Sequence, residues 1–526
     1  MANTGRITGL RITLTASAML AAIATIAACT GKTGEGGVAS TSTACPTPAP
    51  VPSGFGYPQT ATTIQQWVAQ NNQPAARQHG WGLFAGLMAD SGGKWTWRSW
   101  CTETQAFASG SSGGAAMSTG SAADEPARGE RPLRMFKLTN GPTTAAAAGA
   151  EPINFKLAPQ YTVPAPVLKR YAGTSCIIPP SANSPIPTLA NGAQFQNNGD
   201  VMIAGVIYNR SAYNWIRQKQ LYEASILAGM MPPANQTAQM QPMPPGSISL
   251  KPMLWPIKKT GYTALPIWDD LKTDNGVYSG FEIQSQWPRA VAITPQSKSE
   301  IAVVDVSYLD LPGVTMGNGG PRIGPNKYRQ ARTVGIEQFY SFQPDLASLD
   351  PCDRALLDAS AYYAYGRLFE QGDYLALVAM HIITKEQPAW TFQSVWWSDR
   401  PAQGPYAADR PSLPHANGPW QHYLMTSTYG FTQPGNPNQW PVAYNPYIEL
   451  AADHPIQTNC MNCHHRAAWP ENGTGYLAPN GPGALDVYTY DGLAIFDGLI
   501  GVDSLWSIAD RVPSPAPSGS ASPAPK

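Results

Sequence analysis

Charge is scarce in this chain. Of its 526 residues only 13% are Asp, Glu, Lys or Arg, about half the usual share, and 34 basic residues balance 34 acidic ones. A neutral chain lacks the electrostatic footprint of a nucleic-acid binder and has no basic face with which to hold an acidic membrane. Familiar catalytic signatures are missing too: there is no Ser nucleophile elbow, Walker loop, Rossmann glycine fingerprint or His-Glu-x-x-His pair. The glycine run 317–324 lacks the Lys-Ser/Thr ending of a phosphate loop and reads as surface loop. Composition also excludes an all-helical bundle, because 51 prolines and 49 glycines interrupt helices and favour strands joined by extended, turn-rich connections. Core material is plentiful: 43% of the chain is apolar and 16 residues are Trp, enough for one large core or two moderate ones. Trp396 and Trp397 sit in a strand-like run where one ring of the pair must face inward. Packing, rather than a carbohydrate-binding face, accounts for most of the Trp residues.

The N-terminus reads as an export signal. Residues 1–28 hold Arg6 and Arg11, no acidic residue, and an apolar run over 12–28 that is short for a membrane span. Its last residues, Ile26-Ala27-Ala28-Cys29, resemble the lipobox of bacterial lipoproteins. That resemblance implies a diacylglycerol thioether on Cys29 and a mature protein tethered to the outer side of a bacterial membrane, facing the periplasm or the outer surface. The mature chain would carry 32 basic and 34 acidic residues, so lipid rather than charge would hold it there. Residues 29–54 are Gly, Ser, Thr and Pro with little apolar material and read as a flexible tether. Residues 512–526 form a similar tail. Between them lie a region 55–199 of unknown role, broken by low-complexity stretches at 108–131 and 143–151, and a strand-rich region 200–511.

Seven cysteines are an awkward count for an exported protein until they are sorted. Cys29 goes to the lipid, and Cys460 and Cys463 belong to Cys-Met-Asn-Cys-His, which ends at His464. Cys45, Cys101, Cys176 and Cys352 remain, enough for two disulfides in any of three connectivities. Cys-x-x-Cys-His is the c-type haem attachment motif: two thiols add across the haem vinyl groups, and the following histidine turns its imidazole onto the iron. A zinc half-site would need two more Cys or His at matching spacing, and a thioredoxin-like pair would follow a strand rather than Pro455 and Asn459. A plain disulfide is the third alternative. The motif occurs once, so one haem c is expected, with Cys460 and Cys463 as covalent attachment points and His464 as proximal iron ligand.

The motif stands near the end of the chain, and no methionine follows Met461. This order disfavours a small helical cytochrome c, whose motif comes first and whose ligand Met follows. Upstream, 201–208 is β-rich, 211–221 suits a short helix, and Pro244-Pro245-Gly246 turns into a strand that reaches Leu250-Lys251. The runs 374–384 and 390–397 are further strands, the second rich in Trp and followed by Asp399; Asp486-Val487-Tyr488 comes after the motif. In this order the chain resembles the cytochrome P-four-sixty and cytochrome c′-beta family over about Asp200 to Tyr490. Pro252 replaces that family's glutamate, the stretch 255–371 is far longer than its connection, and the first 200 residues are not covered. The resemblance implies an α+β fold, mainly antiparallel sheet with packed helices, and haem fixed near the C-terminus. Some members carry a lysine-to-haem crosslink and oxidise hydroxylamine, whereas others bind small gases at an open iron. Lys251 is the only lysine in a matching motif, and its plain reading is a strand-end lysine.

Six other histidines compete for the second axial position: His79, His381, His415, His422, His454 and His465. His465 adjoins the proximal ligand and is badly placed for the same iron. His422 and Met425 are three residues apart and either could reach a distal face, although packing explains both. Met380 and His381 are neighbours on a strand, so at most one of them faces the haem. His79 lies in an amphipathic segment, 75–87, as a structural histidine. The expected activity is electron transfer to a periplasmic or surface redox partner. The alternative is a haem enzyme or gas binder acting on a small nitrogen or oxygen species.

Overall fold

The computed structural model describes residues 45, 47–108, 159–180, 186–190, 203–267, 289–296, 299–305, 314–316, 328–404, 406–407, 409–413, 416, 418–431, 440, 443, 445–448, 459–470 and 496–513. The architecture is α+β, with mostly antiparallel sheets and few helices. Its twelve main strands are β1 (Cys101–Thr102), β2 (Ile203–Ala204), β3 (Ile207–Tyr208), β4 (Ile248–Ile257), β5 (Thr263–Ile267), β6 (Arg289–Thr294), β7 (Ile301–Asp305), β8 (Tyr328–Gly335), β9 (Ser341–Phe342), β10 (Tyr374–Thr384), β11 (Thr391–Trp397) and β12 (Tyr423–Thr428). The principal sheet runs β1-β3-β4-β10-β11-β12, with β2 on β4 and β9 on β10. A second sheet runs β7-β8-β6-β5, in which only the β6–β8 pair is parallel.

The centre of the principal sheet follows from local composition. β10 reads Tyr-Leu-Ala-Leu-Val-Ala-Met-His-Ile-Ile-Thr, with neither Gly nor Pro to break its ladder, and β11 is Thr-Phe-Gln-Ser-Val-Trp-Trp. Every residue of β11 and β12 is buried, which requires cover on both faces. Trp396 and Trp397, both almost wholly enclosed, therefore point to opposite sides of the sheet and are both inward. Elsewhere the chain departs from its sequence pattern. The β-rich run 201–208 is split by Gly205 and Val206 into β2 and β3. β4 continues through Pro252 and Pro256 to Ile257, beyond the expected end at Lys251.

Helices close both faces. α1 (Ala61–Ala69) and α2 (Gln73–Leu87) come from the N-terminal third, and α2 lies on β12. The fit depends on Gly80, where a Cβ would stand 2.9 Å from Gln393 Cγ and 3.2 Å from Met425 Sδ. Arg77 fixes the helix by donating to both oxygens of Asp409 (2.5 and 2.8 Å) and to the carbonyls of Met425 and Tyr406. α3 (Arg210–Gln218) follows β3, and α4 (Pro351–Tyr365) packs on β4. Residues from both sides of position 200 share this body: β1 pairs with β3, Pro159–Tyr161 pairs with Val314–Met316, and Ser42–Lys526 forms one compact unit. The four spare cysteines pair as Cys45–Cys101 and Cys176–Cys352, one of the three connectivities open to them. Among the described residues no helix is long and apolar enough to cross a membrane, and Cys29 lies outside them.

Candidate functional site

Cys-Met-Asn-Cys-His forms a single helical turn, α5 (Cys460–His464). Asn459 caps it, accepting from the Asn462 backbone N–H at 3.1 Å, and its own Nδ2 donates to Gly430 O at 3.0 Å. Asn459, Met461 and Asn462 are fully buried, so this turn is anchored in the core rather than hung on a loop. Three-residue spacing puts both thiols on one side of the turn, and Cys460 and Cys463 are not joined to each other. Cys460 belongs to a buried apolar cluster that includes Ile383, Trp390, Phe392, Ala443 and Met461.

His464 Nδ1 lies 2.9 Å from Ser504 O. A carbonyl only accepts, so Nδ1 carries a proton, which in the neutral ring leaves the lone pair on Nε2; this arrangement fixes the ring's orientation and is one that suits a metal ligand. The carbonyl is held by an unusual stretch of backbone. Asp503 and Ser504 both adopt left-handed conformations, at φ 49° and 66°, which side chains other than glycine rarely take. The Asp503 carboxylate secures that stretch, accepting from Met243 N at 2.7 Å and from Lys385 Nζ at 2.5 Å. Lys385 is itself buried, with Nζ also donating to Pro388 O and standing over the Trp390 ring. Burial pulls its pKa below the usual lysine range, while Asp503 opposes that pull. Asp503, Ser504 and Lys385 were invisible as site residues in the sequence, because none belongs to a motif and Lys385 is 118 positions from its partner.

The sheet supplies a wall to this site. Phe392 packs against the His464 ring, centroids 5.0 Å apart. Opposite residues of antiparallel strands share a face, so the Phe392 pairings extend across the sheet as a row containing Ser249, Ile383 and Thr428. The next row on the same face is Lys251, His381, Ser394 and Thr426. Ser394 accepts from Asn445 Nδ2 at 2.7 Å. Of the neighbours Met380 and His381, it is His381 that shares the face of Phe392.

Two expected distal candidates need correction. Helical spacing would put His422 and Met425 side by side, but the chain enters β12 at Tyr423, so strand alternation applies. Met425 pairs with Val395 and lies against Gly80 of α2, on the face of the sheet opposite Phe392. His422 ends the short turn Gly418–His422, six residues before Thr428, or about 20 Å along the strand. His465 packs edge-on to Phe431, centroids 5.2 Å apart, and His79 is buried beneath α1. His415, His454 and Asp486 lie outside the described residues. Among the described residues no group of three or more His, Cys, Asp or Glu is arranged to hold a metal ion. No protein-family model, curated protein or solved structure matches the chain.

Proposed function

We propose that the chain is an exported, lipid-anchored monohaem c-type cytochrome that transfers electrons to a periplasmic or surface redox partner. Cys460 and Cys463 would hold the haem through thioethers, His464 Nε2 would ligate the iron, and Cys29 would carry the lipid. The observation that supports this furthest is the 2.9 Å contact of His464 Nδ1 with Ser504 O, beside two thiols on one buried helical turn. When bound, the haem supplies a one-electron centre whose potential depends on its axial ligands and burial. The chain's own residues have three tasks: Ser504 sets the imidazole tautomer, Asp503 and Lys385 hold that carbonyl in place, and the apolar cluster around Phe392 and Trp390 keeps water from the Cys460 side. The likeness to the cytochrome P-four-sixty and cytochrome c′-beta family belongs to the same proposal.

His381 is the candidate sixth ligand, because it stands on the sheet face that Phe392 presents to His464. The polar row of Lys251, His381, Ser394 and Thr426 also favours a second reading, in which those groups face an open iron that takes a small nitrogen or oxygen species. An optical spectrum of the full chain matured with c-type haem, oxidised and reduced, with and without CO, decides between them. A low-spin reduced spectrum indifferent to CO is expected for the electron carrier. A high-spin spectrum shifted by CO would select the open site, and absence of covalent haem would overturn both readings.

A further inference from the structure

On the other face of β11, beneath α1 and α2, His79, Glu386, Gln393 and Tyr429 meet in a closed polar cluster. His79 Nδ1 is 2.5 Å from the Tyr429 hydroxyl, and Nε2 is 3.2 Å from Glu386 Oε1. The histidine and glutamate side chains are only 2% and 1% exposed. Glu386 accepts at both oxygens, from Gln59 N at 2.6 Å and from the Thr384 hydroxyl. Both Glu386 oxygens accept from these donors, so the imidazole proton is best placed on Nε2 beside them, and Nδ1 then accepts the phenolic proton of Tyr429. Gln393 Nε2 donates to the same phenolic oxygen at 2.8 Å, filling its acceptor side. The Nε2–Glu386 contact is close enough for an ion pair but off the line of a hydrogen bond, so it strengthens most when the ring becomes positively charged.

Every polar atom of the cluster is enclosed by protein, which leaves no place for a substrate. An electron and a proton can still move. The half-buried Trp67 ring lies 6.3 Å from Tyr429 and 6.0 Å from His79, and Trp440 stacks on Tyr429 at 6.0 Å. Gly430, the next residue, gives its carbonyl to Asn459 at the head of α5. Burial first, and the Glu386 charge second, hold the Tyr429 phenol well above its usual pKa, so it is protonated at rest.

We propose that Tyr429 is a redox-active tyrosine with His79 as its proton acceptor. A strong one-electron oxidant of the high-potential metal-complex class takes one electron through Trp67. The Tyr429 O–H bond breaks, an N–H bond forms at His79 Nδ1, and a neutral tyrosyl radical remains beside an imidazolium paired with Glu386. Return of one electron reverses the step, with the proton going back to the phenol. None of these contacts depends on haem attachment.

The test oxidises the full chain with photogenerated tris(bipyridine)ruthenium(III), traps it by freezing and records electron paramagnetic resonance. The expected result is a tyrosyl radical with two exchangeable protons hydrogen-bonded to its oxygen, one from an imidazole and one from the Gln393 amide, detected by pulsed double resonance in light and heavy water. Tyr429→Phe should remove that signal with the circular dichroism unchanged. His79→Gln should shorten the radical lifetime by about tenfold, the factor that loss of one hydrogen bond to a charged group gives. An unchanged signal in folded Tyr429→Phe would overturn the proposal. Should that variant not fold, a wild-type radical without an imidazole-bonded exchangeable proton would overturn it equally.

Discussion

The two faces of β10, β11 and β12 use histidine in opposite ways. On one face His464 gives Nδ1 to a backbone carbonyl, Ser504 O, and keeps the lone pair on Nε2. On the other, His79 has a side chain at each nitrogen, the phenol of Tyr429 and the carboxylate of Glu386. A carbonyl partner orients an imidazole without competing for its second nitrogen, which suits a metal ligand. Two titratable partners make the ring a proton acceptor and block ligation. On the two proposals, the same strands would separate ligand chemistry from proton chemistry by the alternation of their side chains, with Phe392 on one face and Gln393 on the other.

The largest effect that tests this division lies at the thiols. Replacing both thiols, Cys460→Ala together with Cys463→Ala, should leave haem that acidified organic solvent extracts, where the wild type retains it; extraction followed by mass spectrometry of the intact chain reads the difference. Covalent retention in the double variant would place attachment elsewhere. Next in size is His381→Ala, which should convert a low-spin reduced spectrum into one that CO shifts. His422→Ala and Met425→Ala should not, because β12 carries Met425 to the α2 side and His422 to its far end. A spectrum insensitive to His381 but altered by Met425 would break the assignment of faces.

The strands were legible because each is written in consecutive residues, as is the Cys-x-x-Cys-His motif that forms α5. β10 matches the apolar run 374–384 residue for residue, and α2 follows the periodicity of Trp81, Leu83, Phe84 and Leu87. Alternation also foretold that Met380 and His381 would part company, although only the Ile383–Phe392 and His381–Ser394 pairings tell which one shares the face of Phe392. What was illegible is what converges from afar. His79 and Tyr429 are 350 positions apart, and neither carries a local signature. Ser504 acts through its carbonyl, which every residue possesses. The spacing of His422 and Met425 misled because three residues mean one side of a helix but opposite sides of a strand.

A smaller effect sharpens the comparison from the α2 side. Gly80→Ala forces a methyl to 2.9 Å from Gln393 Cγ and 3.2 Å from Met425 Sδ, and the neighbouring Gln393 amide is tied to Tyr429 and Thr391. Crowding of this kind costs about 1–3 kcal/mol. Chemical denaturation should show that loss while the haem spectrum stays unchanged, since the strain falls on the face away from His464. A spectral change in a folded Gly80→Ala protein would mean that the two faces are coupled.

The smallest effect concerns the ion pair that seats α2, and it depends on pH. Burial acts to raise the Asp409 pKa, but the hydrogen bonds and charge of Arg77, with the Trp81 indole, outweigh it and hold the carboxyl below its ordinary 3.8. A carboxyl whose folded pKa is depressed adds stability that is complete above the unfolded value and is lost as pH falls through the folded value. Asp409→Asn should therefore cost about 1 kcal/mol at neutral pH, a magnitude typical of a partly exposed pair, and the gap from wild type should close as the pH drops below about 4. Asp373, held low in spite of burial by Arg367 and the backbone N–H groups of Glu370 and Lys259, titrates in the same window and is untouched by the substitution. Both proteins should accordingly remain acid-labile, and urea midpoints measured at steps between pH 7 and pH 2 isolate the Asp409 share. A gap that persists at the acid end would mean that the amide substituted at this position disturbs the seating of α2 sterically, and the Arg77 contacts to Met425 O and Tyr406 O would then carry the helix alone.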